Sequence, residues 1–188
     1  MTRLQAPPIE TLSDHTRDVF RAVEARFGRL LDPVAVTALH PEVLDATMAF
    51  EVQFERARRL PERLKQLANL KAAALLGCPF CLDIGSAESR RAGVPDAMLR
   101  ALSSFETSDL FDEPEKAALA YCVAMTRDSA EVDDAVFATL RKHFADDQIV
   151  ELTAVIAWEN HRSRFNKALG FTAQGFSEGQ ACALPEPA

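Results

Sequence analysis

Apolar positions recur at intervals of three and four along most of the chain. Val19, Phe20, Val23, Phe27 and Leu30 share one helical face, and Ser13 or Asp14 can cap that helix; Gly28 places a break near its end. Asp32-Pro33 and His40-Pro41 read as punctuation. A second helix runs from Pro41 through Val43, Leu44, Met48, Phe50, Val52 and Phe54 to about Arg59. A third starts at Pro61 and carries Leu64, Leu67, Ala68, Leu70, Ala74 and Leu75 until Gly77 stops it. The fourth spans Pro79 to about Arg91, and the fifth starts at Pro95-Asp96 and fades between Ser103 and Asp112. Asp112-Glu113-Pro114-Glu115 opens a sixth, with acids at the positive end of the helix dipole. Val132 to Phe144 forms a seventh, and Asp146-Asp147 opens a long eighth that Gly170 closes near Leu169. No stretch alternates as a strand would. The pattern predicts an all-α fold of about eight helices in a single domain over residues 1–188, with 1–9 a Pro-rich arm and 171–188 a tail.

Composition narrows the function classes. With 188 residues, 48% hydrophobic and 26% charged, the chain can bury a sizeable core and is ordinary for a globular protein. A net charge of −7, with Lys and Arg interleaved among acids, excludes a general nucleic-acid binder. No apolar run approaches the roughly 18 residues of a membrane helix, and Met1 to Pro8 lack the apolar centre of a secretion signal. The expectation is a cytoplasmic protein without a membrane partner. In a reducing compartment a Cys-x-x-Cys pair points to redox or metal chemistry rather than a structural disulfide.

That pair is Cys78 and Cys81, in Gly77-Cys78-Pro79-Phe80-Cys81. Positions i and i+3 share a helix face, so the two sulfurs can approach within disulfide reach. Cys78 stands at the helix start, where free N–H groups and the dipole favour a thiolate, and Pro79 presets the first turn. A structural zinc site would need four ligands; Cys122 and Cys182 form no second pair and no His is spaced for it, so neither metal nor cofactor is expected. Inert core cysteines remain an alternative to redox-active thiols. The helix itself supplies no base for Cys81. Gly85 lies one turn on, Asp83 points to the opposite side, and Glu88 is two turns away, about 10 Å along the axis. Trp158-Glu159-Asn160-His161-Arg162 offers Glu159 and His161 as relay candidates, against a competing reading as a solvated, salt-bridged helix end. Cys122, among Ala118, Leu119, Tyr121 and Val123, reads as core. Cys182 can fold back toward the pair, join two chains or stay an exposed thiol. His15, His40 and His143 read as local and structural, and the 12 Phe residues as core and subunit-interface packing or as the lining of an apolar pocket.

Leu67-Ala68-Asn69-Leu70-Lys71-Ala72-Ala73 leading into Gly77-Cys78-Pro79-Phe80-Cys81-Leu82-Asp83, supported by Ile156-Ala157-Trp158-Glu159-Asn160 and Arg164-Phe165-Asn166-Lys167-Ala168-Leu169-Gly170, resembles the AhpD-like (carboxymuconolactone decarboxylase-type) family over roughly residues 40–170. The resemblance implies an all-α fold assembled as a homo-oligomer, whether dimer, trimer or hexamer. It also implies reduction of alkyl hydroperoxides in which Cys81 attacks the peroxide and Cys78 resolves it. The helix dipole instead favours Cys78, which is therefore assigned to attack on an external disulfide. The family pattern has a glutamate at the position of Gln66 and a histidine at that of Gly85. Gln66 cannot act as a base and Gly85 has no side chain, so efficient peroxide reduction requires a relay from elsewhere; disulfide exchange depends on it less. The expected function is a thiol-dependent oxidoreductase acting on a hydroperoxide or a disulfide and recharged by a thiol reductant. The alternatives are a helical oligomer with a redox-sensing or vestigial cysteine pair, and a decarboxylase-like small-molecule enzyme on the same scaffold.

Overall fold

Local capping chemistry sets most helix boundaries in the computed structural model, which describes residues 2–127 and 131–186. Among the described residues there are nine α-helices and no strand: α1 (Asp14–Phe27), α2 (Asp32–Thr37), α3 (Pro41–Arg56), α4 (Glu62–Leu76), α5 (Pro79–Arg91), α6 (Asp96–Ala101), α7 (Glu113–Thr126), α8 (Asp134–Leu140) and α9 (Asp146–Leu169). The helix beyond the expected eight is α2. Asp32-Pro33 begins a helix there instead of interrupting one, because proline in the first turn withholds only an N–H that would have had no partner. Ser13 caps α1 by accepting the Thr16 N–H, and Gly28 closes it in the left-handed conformation at φ 75°. Asp112 and Glu115 form a reciprocal capping box at the start of α7. The Asp133 carboxylate accepts the Val136 N–H, so α8 starts at Asp134 rather than Val132 and ends at Leu140.

The chain divides into two compact units, one of residues 2–56 and 169–171 and the other holding the rest of the described residues. In the first, Phe20 of α1, Ala35 of α2 and Leu44 of α3 meet Leu12 and Ala38 in a small core. Helix α3 buries Leu44 alone and leaves Val43, Phe50 and Val52 exposed, with Phe50 stacked on Phe54 at 4.8 Å.

In the second unit α4 packs on α5 and α7, and α7 on α8. Leu64, Ala68 and Ala72 of α4 interdigitate with Ala118, Tyr121 and Cys122 of α7 and with Ile149, Leu152 and Ile156 of α9. Small residues on α4 admit this close packing, and each fully buried leucine contributes about 1.5–3 kcal/mol. The Glu151 carboxylate accepts the N–H groups of Arg59 and Leu60, which fixes the entry into α4. The buried face of α9 runs through Ile149, Leu152, Val155 and Ile156 and continues at the same spacing through Glu159, Asn160, Ser163 and Asn166. Its second half therefore turns polar side chains inward. No helix among the described residues is long and apolar enough to cross a membrane.

Residues 172–186 are irregular, as expected of a tail, but they are hydrogen-bonded to α4 and α5 rather than left loose.

Candidate redox site

Helix α4 ends at Leu76, and Gly77 reverses the chain at φ 60°, a left-handed conformation that glycine adopts without strain. Lys167 of α9 donates to the freed Leu76 carbonyl. Cys78 follows as the N-cap of α5. Its Sγ accepts the Cys81 N–H at 3.2 Å, so the sulfur occupies the position where a cap oxygen usually sits. Pro79 takes the first helical position. Cys78 and Cys81 form a disulfide, with Cα atoms 5.3 Å apart. Cys78 has no exposed surface, and Cys81 retains 6%. The Asn166 side-chain amide of α9, itself buried, donates to Cys81 Sγ at 3.3 Å.

Among the described residues, the donors to the two sulfurs are thus the Cys81 N–H and the Asn166 amide. The other candidates have different partners. Gln66 donates to Glu62 one turn back on α4. Glu159 is buried and accepts from Arg162 and from the Ser163 hydroxyl. His161 is exposed and stacks on Trp158, with ring centroids 4.7 Å apart, and on Phe165 at 6.1 Å. At Gly85 an added Cβ would stand 3.2 Å from Leu70 Cδ1, so a side chain there requires the Leu70 methyl to give by a few tenths of an ångström. Asn166 falls in the 164–170 stretch that carries the family resemblance, which assigns it no role. Its signal was the continuation of the buried stripe on α9, because a buried amide must find a partner.

The opposite side of α5 is occupied by the chain's last segment. Asp83 is buried, and its carboxylate accepts the N–H groups of Gln174 (2.8 Å), Phe176 (3.0 Å) and Ser177 (2.7 Å). The Ser177 hydroxyl donates back to the Asp83 carbonyl. Ser86 accepts the Ala183 N–H at 3.0 Å and contacts Cys182 Sγ at 3.5 Å; the Cys182 thiol also reaches the Leu82 carbonyl. Cys182 therefore folds back onto α5, as a free thiol. An open pocket of about 390 Å³ lies between this segment and α5, walled by Pro79, Leu82, Asp83, Cys182, Leu184 and Pro185. Among the described residues no Phe lines this pocket, and Phe20, Phe80, Phe105, Phe111, Phe144 and Phe171 are buried. Cys122 is fully buried, and burial pushes its thiol up to about 12, so it stays protonated and inert at neutral pH. Among the described residues no three His, Cys, Asp or Glu side chains converge as metal ligands would.

The sequence profile of the Carboxymuconolactone decarboxylase family matches residues 41–124, from the start of α3 into α7 and across the cysteine pair. The uncharacterized protein YnjA of Escherichia coli is 33% identical over 162 residues, 85% of this chain and 86% of that one. The crystal structure of ATU0492 from Agrobacterium tumefaciens, called a protein of unknown function and a putative antioxidant defence protein AhpD, is 30% identical with a TM-score of 0.69, covering 73% of this chain and 94% of that one. The debrominase Bmp8, crystallised with 2,3,4-tribromopyrrole, superposes with a TM-score of 0.82 over 94% of both chains at 24% identity, which is a likeness of fold.

Proposed function

Because the chain belongs to the carboxymuconolactone decarboxylase family, in its AhpD-like form, we propose that it is a thiol-dependent oxidoreductase that cycles Cys78 and Cys81 between dithiol and disulfide. The observation that carries this reading is the joined pair at the start of α5, with one N–H donor on each sulfur. A donor aimed at sulfur favours the thiolate over the thiol.

With a hydroperoxide, the Cys81 thiolate attacks the terminal peroxide oxygen. The O–O bond breaks, the alkoxide takes a proton and leaves as the alcohol, and Cys81 becomes a sulfenic acid. The Cys78 thiolate then attacks Cys81 Sγ, the S–S bond forms and water leaves. A dithiol reductant restores both thiols and is itself oxidised to a disulfide. The exposure difference supports Cys81 as the attacking thiol for peroxide, since Cys78 has no surface at all. Attack by Cys78 on an external disulfide requires the start of α5 to open, because Cys78 has no exposed surface. Proton transfer through Glu159 or His161 belongs to the same proposal and is decided by pH–rate profiles; Gln66, an amide, can contribute a hydrogen bond but not a base. The family's homo-oligomeric assembly goes with this reading, and the exposed apolar face of α3 supports it. So does a reducing cytoplasm as its working place, where dithiol reductants are at hand.

A second reading is a redox sensor with the pair at rest as a disulfide. The burial of both sulfurs favours it, together with Gln66 and Gly85 at the relay positions. Bmp8 and the family name mark a different small-molecule reaction on the same scaffold as the competing enzyme reading. Stopped-flow oxidation of the reduced wild type, Cys78→Ser and Cys81→Ser by an alkyl hydroperoxide separates these readings. Fast oxidation of wild type and Cys78→Ser with loss in Cys81→Ser is the expected result. Equally slow oxidation of all three would remove the peroxidase.

A further inference from the structure

Lys71 is the one charged side chain in the buried run Leu70 to Ala74 of α4, with 1% of its surface exposed. An ammonium in such a place needs an anionic partner. The body of the unit gives it neutral ones: the Leu102 carbonyl at 3.3 Å and the face of the Phe105 ring at 4.6 Å. Its carboxylate partner is Glu186, 115 residues further along the chain. The second oxygen of that carboxylate lies 3.7 Å from the Arg127 guanidinium. Two cations thus converge on the two oxygens of one carboxylate, an arrangement that recognises carboxylates in general.

The group that fills this receptor is lightly held. Residues 180–186 form no helix, and Leu184 is 76% exposed. The backbone of this stretch meets the body through the Arg90 contact to the Ala181 carbonyl, the Ala183 N–H on Ser86, and the Glu186 N–H on the Ala74 carbonyl. Such a segment opens locally more readily than a packed helix does. When it lifts, Lys71 is left as a buried cation beside an aromatic face.

We propose that Lys71, Arg127 and Phe105 form a binding site for a small organic carboxylate with an apolar body, in which Glu186 is an exchangeable internal occupant. Lys71 stands on α4 two turns before the cysteine pair, the Glu186 N–H reaches Ala74 in the last turn of that helix, and Pro185 lies beside Gly77. There the site would anchor an acidic substrate for the redox reaction. That link rests on the oxidoreductase reading, whereas the binding itself does not.

The test is binding of ¹³C-carboxylate benzoate, followed by NMR line broadening and by the shift in thermal midpoint, on the full chain without any turnover. Benzamide and inorganic phosphate are the comparison probes. Glu186→Ala is expected to bind benzoate at least tenfold more tightly than the wild type, in which Glu186 competes. Adding Lys71→Met abolishes that gain, and benzamide shows no binding to any variant. Should Glu186→Ala fold poorly, Glu186→Gln keeps a hydrogen-bonding side chain, removes the charge and shows the same gain. Wild-type affinity equal to that of both variants, no binding by either, or phosphate binding as tightly as benzoate would overturn the site. Benzoate binding in a protein that fails to turn over hydroperoxide leaves the site standing and counts against the redox reading alone.

Discussion

The hairpin of α4 and α5 and the segment 172–186 over it are ordered in different ways. The hairpin is specified by neighbours in sequence: Pro61 before α4, Gly77 after it, the Cys78 cap and Pro79 at the start of α5. The segment has no such local support. Its partners include Asp83, Ser86, Arg90 and Lys71, which lie 87 to 115 residues away from the groups they hold. The hairpin thus fixes the geometry of the two sulfurs by local signals, while Asp83, Ser86, Arg90 and Lys71 hold the segment against the hairpin, on the side of α5 turned away from the pair.

Asp83→Ala is expected to break this contrast most strongly. It deprives three N–H groups of their acceptor and should cost about 3–4 kcal/mol, with new protease cleavage confined to residues 172–186. Leu152→Ala in the shared core should cost a similar amount, about 2–5 kcal/mol, but leave that segment protected. Denaturant titration with limited proteolysis checks both; identical cleavage patterns would show that the segment is not held by Asp83.

Installing the family's relay sharpens the other side. Gln66→Glu with Gly85→His should raise the rate of peroxide oxidation at neutral pH by about 10- to 100-fold, at a packing cost of about 1 kcal/mol against Leu70. A stopped-flow rate that does not change would show that a missing base is not what limits Cys81. Asn166→Ala removes the donor on Cys81 and should slow its alkylation several-fold, in line with about 1 kcal/mol for one hydrogen bond, while Cys78 serves as the internal reference. The pH profile of the same alkylation in His161→Ala tests the relay; an unchanged profile excludes His161.

Near neutral pH the smallest effect belongs to Cys122, whose contribution shows only on the alkaline side. Its folded thiol is raised from 9.0 to about 12 by burial. The unfolded chain therefore ionises first, and stability falls as pH rises from about 9 toward 12. Cys122→Ala should flatten that alkaline limb in thermal unfolding curves.

Much of the hairpin was legible in the sequence, because periodicity, proline and glycine are local signals. The Cys78 cap and the opposite orientation of Asp83 followed from helix geometry alone. Asn166 was not legible as a sulfur partner. It lies beyond the 158–162 run that reads as a solvated helix end, in the stretch that carries the family resemblance but assigns it no role, and only packing shows that Glu159, Asn160, Ser163 and Asn166 continue the buried face. The short helix α2 was hidden because Asp-Pro starts a helix as readily as it ends one. The order of residues 172–186 was hidden for the same reason that it is separable: its determinants lie on other helices.

The most direct test of the redox reading is a mass and alkylation measurement on the fully reduced chain after one equivalent of an alkyl hydroperoxide. The expected result is loss of two hydrogens, a Cys78–Cys81 disulfide, one equivalent of alcohol, and recovery of both thiols with a dithiol. Hydroperoxide left unconsumed, with Cys78 and Cys81 still open to alkylation under denaturing conditions, would contradict it.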